Sequence, residues 1–310
     1  MPKLVNLGSL CIDNVYTVPA IAQPGETVAS LDYQQHPGGK GLNQSLAAAR
    51  AGLDVVHVGC MGRDGARLAE VLESAGVAVD GIRISDTHAS GHAVIQVDAS
   101  GQNAIVIAGG ANRFLEPQDL ERALNVMGEG DWLLIQNEIN DIERILNVVS
   151  KLPVSLAFNV APADARVIDY PLDGVDLLIV NEIEAAALAD GAAPADAVER
   201  LCMRYPTCHV VLTCGALGLR YGHGAERLEL PAFPVDAVDE TAAGDAFIGY
   251  LMHGWLNGHG TAEALAWASA AGALAVTVAG AATSIPTAAE VAEFLRDAQG
   301  LRDAPEIVPG

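Results

Sequence analysis

The sequence predicts an α/β protein with a mostly parallel central sheet flanked by helices, on three observations. Short runs rich in Val, Ile and Leu recur without polar alternation, as strands buried on both faces do. Longer helical patterns separate them, and this β-then-α rhythm is that of a parallel sheet. The 310 residues are 51% hydrophobic and 18% charged, enough apolar material for a sizeable core.

Strands are predicted at 3–11, 54–60, 131–136, 154–158, 177–180 and 209–213, with a further one at LRYG (219–222). The first reads as a strand rather than a leader, because no basic region and small-residue cleavage site frame it. Helices are predicted at 43–51, 63–75, 117–127, 141–151 and 182–189, then at 243–257, 262–278 and 288–298. Two segments break the rhythm. Residues 15–35 contain Pro19 and the turn Pro24-Gly25, while 91–108 read as two short strands joined at Ser100-Gly101. Both are expected to project as a small sheet. No long polar linker or recurring period divides the chain, so 1–310 are expected to form a single domain. The weakly charged stretch 265–282 is dominated by Ala and Gly, which suits a packed internal helix better than a membrane span.

Seventeen basic against 39 acidic residues leave a net charge of −22. Nucleic acids and anionic membranes both demand a positive face, so neither partner is expected and small-molecule chemistry is. The five cysteines (11, 60, 202, 208, 214) form no CxxC pair and fit no disulfide framework, which points to a reducing, cytoplasmic location. No two of the eight histidines pair at metal spacing, and no zinc or iron site is expected. Lysine occurs only at 3, 40 and 151, and Lys40 stands alone in a polar glycine-rich setting.

That setting, Pro37-Gly38-Gly39-Lys40-Gly41-Leu42-Asn43-Gln44, runs into an Ala-rich helix. Glycines admit a ligand to the backbone, and Lys40 and Asn43 supply donors for hydroxyls or anions. The same residues would also make an ordinary loop with Asn43 as helix cap. A second group, Asp239-Glu240-Thr241-Ala242-Ala243-Gly244-Asp245, opens another helix. Free N–H groups there favour a developing anion, and Asp245 could accept a proton from an attacking hydroxyl or merely complement the helix dipole. Asn181-Glu182-Ile183-Glu184 follows a strand and could hold Mg²⁺ through water or be a solvated first turn. Thr213-Cys214-Gly215-Ala216-Leu217-Gly218 could lie against a nucleotide or simply tighten a connection. Asp13, Glu138 and Asn159 follow strands, where an open α/β sheet binds its ligands. The glycines at 59–65 do not form GxGxxG, which speaks against a nicotinamide-dependent oxidoreductase.

The segment 239–245 resembles the C-terminal signature of the PfkB or ribokinase family of carbohydrate kinases, and PGGKGLNQ resembles its sugar-binding motif. GSLCID, Glu138, NVAPA, Asn181 to Glu184, TCGALG and AVTVAGAATSIP follow in the family's order over almost the whole chain. The resemblance implies a ribokinase-like three-layer α/β/α domain whose lid is the small sheet from about 15–35 and 91–108. It implies ATP-dependent phosphorylation of a hydroxymethyl group on a small sugar, with Asp245 as base and Ala242, Ala243 and Gly244 in an anion hole. Cys11, Asp13, Gly39, Lys40, Asn43 and Glu138 would occupy the sugar site, and Asn181, Thr213, Gly215 and Gly218 the ATP site. Glu184 would organise Mg²⁺. A monovalent cation, usually K⁺, would be surrounded by Asp239, Thr241, Ala275, Val278, Gly280 and Ser284. A homodimer through the lid is a further implication.

Three departures stand out: Glu240 where Thr is frequent, Ala242 where Gly is frequent, and Cys11 where ribokinases carry a sugar-contacting Asn. A thiol is a poor hydrogen-bond partner beside an amide, so Cys11 weakens the case for ribose itself. A nucleoside kinase of the same fold shares these motifs and remains an alternative. A non-catalytic sugar sensor is the third reading, opposed by the presence of both Asp245 and Glu184.

Overall fold

The computed structural model describes residues 2–303, with side chains to residue 298. In chain order the first half comprises β1 (Leu4–Leu7), β2 (Cys11–Thr17), β3 (Asp32–Gly38), α1 (Lys40–Ala51), β4 (Val55–Gly62), α2 (Ala66–Ser74), β5 (Ala78–Ser85), β6 (Gly91–Val97), β7 (Asn103–Ala108), α3 (Pro117–Asn125) and β8 (Trp132–Gln136). The second half comprises α4 (Ile142–Val149), β9 (Ser155–Asn159), β10 (Leu177–Asn181), α5 (Glu182–Leu188), α6 (Pro194–Arg204), β11 (His209–Thr213), β12 (Leu219–His223), β13 (Glu226–Leu230), α7 (Ala243–Leu256), α8 (Thr261–Ala275) and α9 (Ala288–Asp303).

A nine-stranded sheet runs in the order β13-β12-β11-β10-β9-β8-β1-β4-β5. Its strands are parallel from β11 to β5, and only β12 and β13 at one edge run antiparallel. Successive residues point to opposite faces, so one strand feeds two cores. Leu133, Ile135, Leu156 and Phe158 pack with α3 to α6, whereas Leu4, Leu134, Ala157 and Val211 pack with α1, α2, α7 and α8. The result is the three-layer α/β/α arrangement the resemblance implied.

The predicted strand 3–11 is two strands. A Cβ on Gly8 would lie 2.7 Å from the Gly41 Cα, so the chain passes α1 in a form no other residue fits. It re-forms as β2 in a second sheet of order β3-β2-β6-β7. That sheet arises from the two expected excursions, though its strands begin at Cys11 and extend to Gly38. Helix α1 starts at Lys40, three positions before the expected 43, with Gly39 at φ 93° as its cap, so Asn43 is not the cap. Strands β5 and β13 escaped the sequence reading because, half-exposed and interrupted by charges, they lack continuous apolar runs. Helix α6 carried an unread start signal, Pro194 in its first turn. No helix among the described residues is long and apolar enough to cross a membrane; the stretch 265–282 instead continues from α8 into turns.

Helix α7 lies against α1 at Gly249, where an added Cβ would stand 2.3 Å from the Ala47 Cβ and 2.5 Å from the Ala48 nitrogen. This close approach sets the distance between the two helices that begin at the motifs read from sequence. Gly249→Ala is therefore expected to cost about 1–3 kcal/mol of overpacking, as a lowered midpoint in urea unfolding.

Candidate active site

Strand order reverses between β1 and β8: β4 and β5 lie to one side, β9 to β11 to the other. In an open α/β sheet that switch point opens a crevice beyond the carboxyl ends of the strands. Here Glu138, Asn159, Asn181 and Thr213 follow or end their strands along its rim. The starts of α1 and α7 contribute Gly39, Lys40, Asn43, Ala242, Gly244 and Asp245, and the lid covers them with Cys11, Asp13, Ile95 and Ile107. The cleft so enclosed measures about 430 Å³. A wider depression of about 620 Å³ lies beside α4, but none of the sequence motifs reaches it.

Asp245 sits in the first turn of α7 and is only 7% exposed. Asn43 Nδ2 donates to its Oδ2 at 3.0 Å and Gln44 Nε2 to its Oδ1 at 2.9 Å. Burial pushes this carboxyl above its ordinary range, opposed by the Lys40 charge and the two amides. Burial pulls Lys40 down in turn, but Asp245, Glu138 and Glu184 outweigh it and hold the ammonium above its ordinary value. Lys40 is thus a lasting cation in an acidic field. Ala242, the helix cap, adopts φ 61°, a left-handed form costing a non-glycine residue about 1–2 kcal/mol. The family's frequent Gly at this position has its reason there. The Gly244 and Asp245 N–H groups make no hydrogen bond among the described residues, while the Ala243 N–H leans 3.4 Å toward the Glu240 carbonyl. Ala243 itself is not in the cleft wall, in contrast to Ala242 and Gly244.

Glu138 Oε2 accepts from Ser9 Oγ at 2.5 Å and from the Lys40 N–H at 3.0 Å, joining the ends of β1 and β8 to the start of α1. Asp13 is pushed up to about 6 by burial first and by Glu138 and Asp245 next. Burial likewise raises the Cys11 thiol, so it stays protonated, and Asn112 Nδ2 approaches its Sγ at 3.4 Å. Asn112 also exchanges two hydrogen bonds with Leu10, at 3.0 and 2.9 Å, a brace the sequence reading missed because nothing local marks a residue 102 positions away.

Asn181 and Glu184 form a reciprocal helix cap. Glu184 accepts from the Asn181 N–H at 2.8 Å and its Nδ2 at 2.9 Å, and Asn181 Oδ1 accepts from the Ile183 and Glu184 N–H groups. Burial raises Glu184, opposed by Asn181 and Lys40. Thr213 reaches the cleft, but Gly215 and Gly218 lie outside its wall. Gly218, at φ 100°, makes room for β13: a Cβ there would meet the Leu230 oxygen at 2.0 Å. Of the expected cation group, Asp239 joins two loops, accepting from Thr241 N at 2.9 Å, Thr241 Oγ1 at 2.6 Å and Gly280 N at 2.8 Å. Ser284 instead turns its hydroxyl to the Ala281 carbonyl at 2.9 Å, and Val278 N donates to the Ala275 carbonyl at 3.2 Å. No group of three or more His, Cys, Asp or Glu able to hold a metal occurs among the described residues.

This geometry has known counterparts. The chain matches the pfkB family carbohydrate kinase model over residues 1–288. It is 34% identical over 306 residues to a ribokinase of Haemophilus influenzae, covering 95% of this chain and 99% of that one. A ribokinase structure from Thermotoga maritima superposes with a TM-score of 0.86 at 31% identity, covering 96% of this chain and 100% of the other. An Arabidopsis thaliana ribokinase complexed with ribose and ATP gives 0.84 at 28% identity over 95% of this chain and 99% of its own. The chain belongs to the pfkB family of carbohydrate kinases. It is a ribokinase-like sugar kinase, a phosphotransferase with an alcohol acceptor, and these relatives do not favour the nucleoside reading.

The raised Asp13 carboxyl has a consequence for stability. Its folded value of about 6 exceeds the ordinary 3.8, so the folded state holds the proton longer. Stability from this group is full below about pH 4 and falls as pH rises toward 6. Asp13→Asn should accordingly stabilise the ligand-free protein at pH 7–8 by on the order of 1–2 kcal/mol, with the gain vanishing near pH 4; thermal melts across that range measure it.

Proposed function

We propose that this enzyme transfers the γ-phosphoryl group of ATP to a hydroxymethyl oxygen of a small sugar held between the sheet's carboxyl edge and the lid. One observation carries the reading: a buried carboxylate, Asp245, oriented by two amides and opposite Lys40, beside the unpaired N–H groups of a helix start. Asp245 accepts the hydroxyl proton as the sugar oxygen attacks, and the N–H groups around Ala242 to Gly244 stabilise the phosphoryl charge. Positioning supplies most of the acceleration.

Asp13, Gly39, Lys40, Asn43 and Glu138 are assigned to the sugar. Cys11 stays a protonated thiol and offers a hydroxyl little, so ribose loses one contact at this wall. The complex of the Arabidopsis relative with ribose and ATP supports the two-substrate site. Asn181, Thr213, Gly215 and Gly218 are assigned to the border of ATP. When bound, Mg²⁺ neutralises charge on the phosphates. Glu184, both of whose oxygens already accept from Asn181, would hold it through water. Asp239, Thr241, Ala275, Val278, Gly280 and Ser284 would surround K⁺, with Asp239 already linking the two loops.

The lid closes over the sugar with Ile95, Ile105 and Ile107, excluding water as a competing acceptor. By strand alternation Val94, Tyr16 and Val106 face the other way, and Val106 is 70% exposed. This apolar outer face supports a homodimer through the lid. Five unpaired buried cysteines support a cytoplasmic location.

Asp245→Asn is expected to keep sugar and ATP binding, measured by calorimetry, while kcat falls by about two to four orders of magnitude. Near-normal kcat would remove Asp245 from the role of base. A panel of ribose, fructose, adenosine and pseudouridine with coupled ADP detection, run with and without K⁺, should show turnover of a sugar and faster rates with the cation. Phosphorylation confined to nucleosides would overturn the sugar assignment.

A further inference from the structure

We infer that Gln44 and Gln136 are positioning residues that lock the orientation of Asp245 through a buried chain of amides, an inference resting on the reading of Asp245 as base. Asn6, Gln44 and Gln136 are all fully buried. Each would be cheaper as a hydrocarbon unless its hydrogen bonds had a use.

The polarity of the chain is forced from two ends. Asn6 Nδ2 donates to the Gly41 carbonyl at 2.8 Å, and a backbone carbonyl can only accept. Asn6 Oδ1 must then accept, and it does so from Gln136 Nε2 at 3.0 Å. The second Gln136 hydrogen goes to Gln44 Oε1 at 2.8 Å. Gln44 is left presenting only its NH₂ group, to Asp245 Oδ1 at 2.9 Å and to Asn159 Oδ1 at 3.2 Å. Asn159 is fixed by the same logic, because its Nδ2 donates to the Ile179 carbonyl at 3.3 Å. Turning any one of these amides over would set oxygen against oxygen.

Gln136 Oε1 remains without a partner among the described residues, so the fold tolerates one unpaired buried acceptor to keep both N–H bonds of this amide in place. Through them a residue that never touches Asp245 dictates that the carboxylate faces a donor. The amide thereby favours the ionised form of the base against its burial and fixes the direction of Oδ1.

Gln136→Met removes the two donors. Gln44 Oε1 then has no donor and its NH₂ group is held by Asp245 and Asn159 alone; the loosened amide favours the ionised base less, and the pKa of Asp245 rises. Because a base works when ionised, the acid limb of the kcat profile should move to higher pH and kcat at pH 7 fall about tenfold, with KM for sugar and ATP within about twofold. Gln44→Glu, which sets a carboxyl against Oδ1, should move the limb further. The other charged groups facing Asp245 are Lys40 from α1, Glu138 after β8 and Asp13 on β2, with Glu184 of α5 acting on Lys40. All are untouched in Gln136→Met. If Asp245→Asn is inactive while Gln136→Met keeps the wild-type kcat and pH profile, the positioning role is overturned and the base reading stands. If Asp245→Asn retains kcat, the base reading fails and this inference with it. Should Gln136→Met not fold, the wild-type enzyme decides. Side-chain amide NMR signals of both Gln44 and Gln136 should shift with one midpoint across the acid limb, and Gln136 signals that stay still would overturn the role.

Discussion

Two helices begin where a carboxylate must be buried, and most of the molecule's organisation follows from how that burial is tolerated. Asp245 leaves water at the start of α7, and that burial is opposed by Lys40 and by the amides of Asn43 and Gln44 at the start of α1. Those groups meet only because Gly249 lets the two helices touch, backbone against side chain. An unpaired charge at this depth would cost several kcal/mol, so helix packing and site electrostatics are one constraint seen at two scales.

The same economy runs through the rest of the cleft. Glu138 ties β1 and β8 to α1 across the point where strand order reverses, and Asp239 ties the loop before α7 to the loop at Gly280. Both carboxylates hold distant pieces of chain together. In a protein of net charge −22, Lys40 and the open N–H groups at the start of α7 set positive groups against an acidic cleft.

The parallel sheet was legible because buried strands such as WLLIQ and HVVLT are continuous apolar runs. Edge strands were not: ERLEL alternates charge with leucine and looks like a surface segment until it pairs with β12. The glycine-rich and acidic motifs marked both helix starts, and the family resemblance joined them. Asn112 and Gln136 carried no local signal beyond polarity, since their partners lie 102 and 92 residues away. A polar side chain closing an apolar run, such as Gln136 at the end of WLLIQ, was the trace to follow.

By itself the sequence determined the layers of the fold, the family and the residue types at the site, because periodicity and motif spacing are local properties of the chain. Only the tertiary structure decided that Asn43 serves the carboxylate rather than capping α1, that Glu184 is engaged by its own helix start, and that Gly218 makes room for a strand. Those outcomes depend on which groups are brought within about 3 Å of one another after folding, where burial makes a hydrogen bond obligatory. No spacing along the chain encodes that.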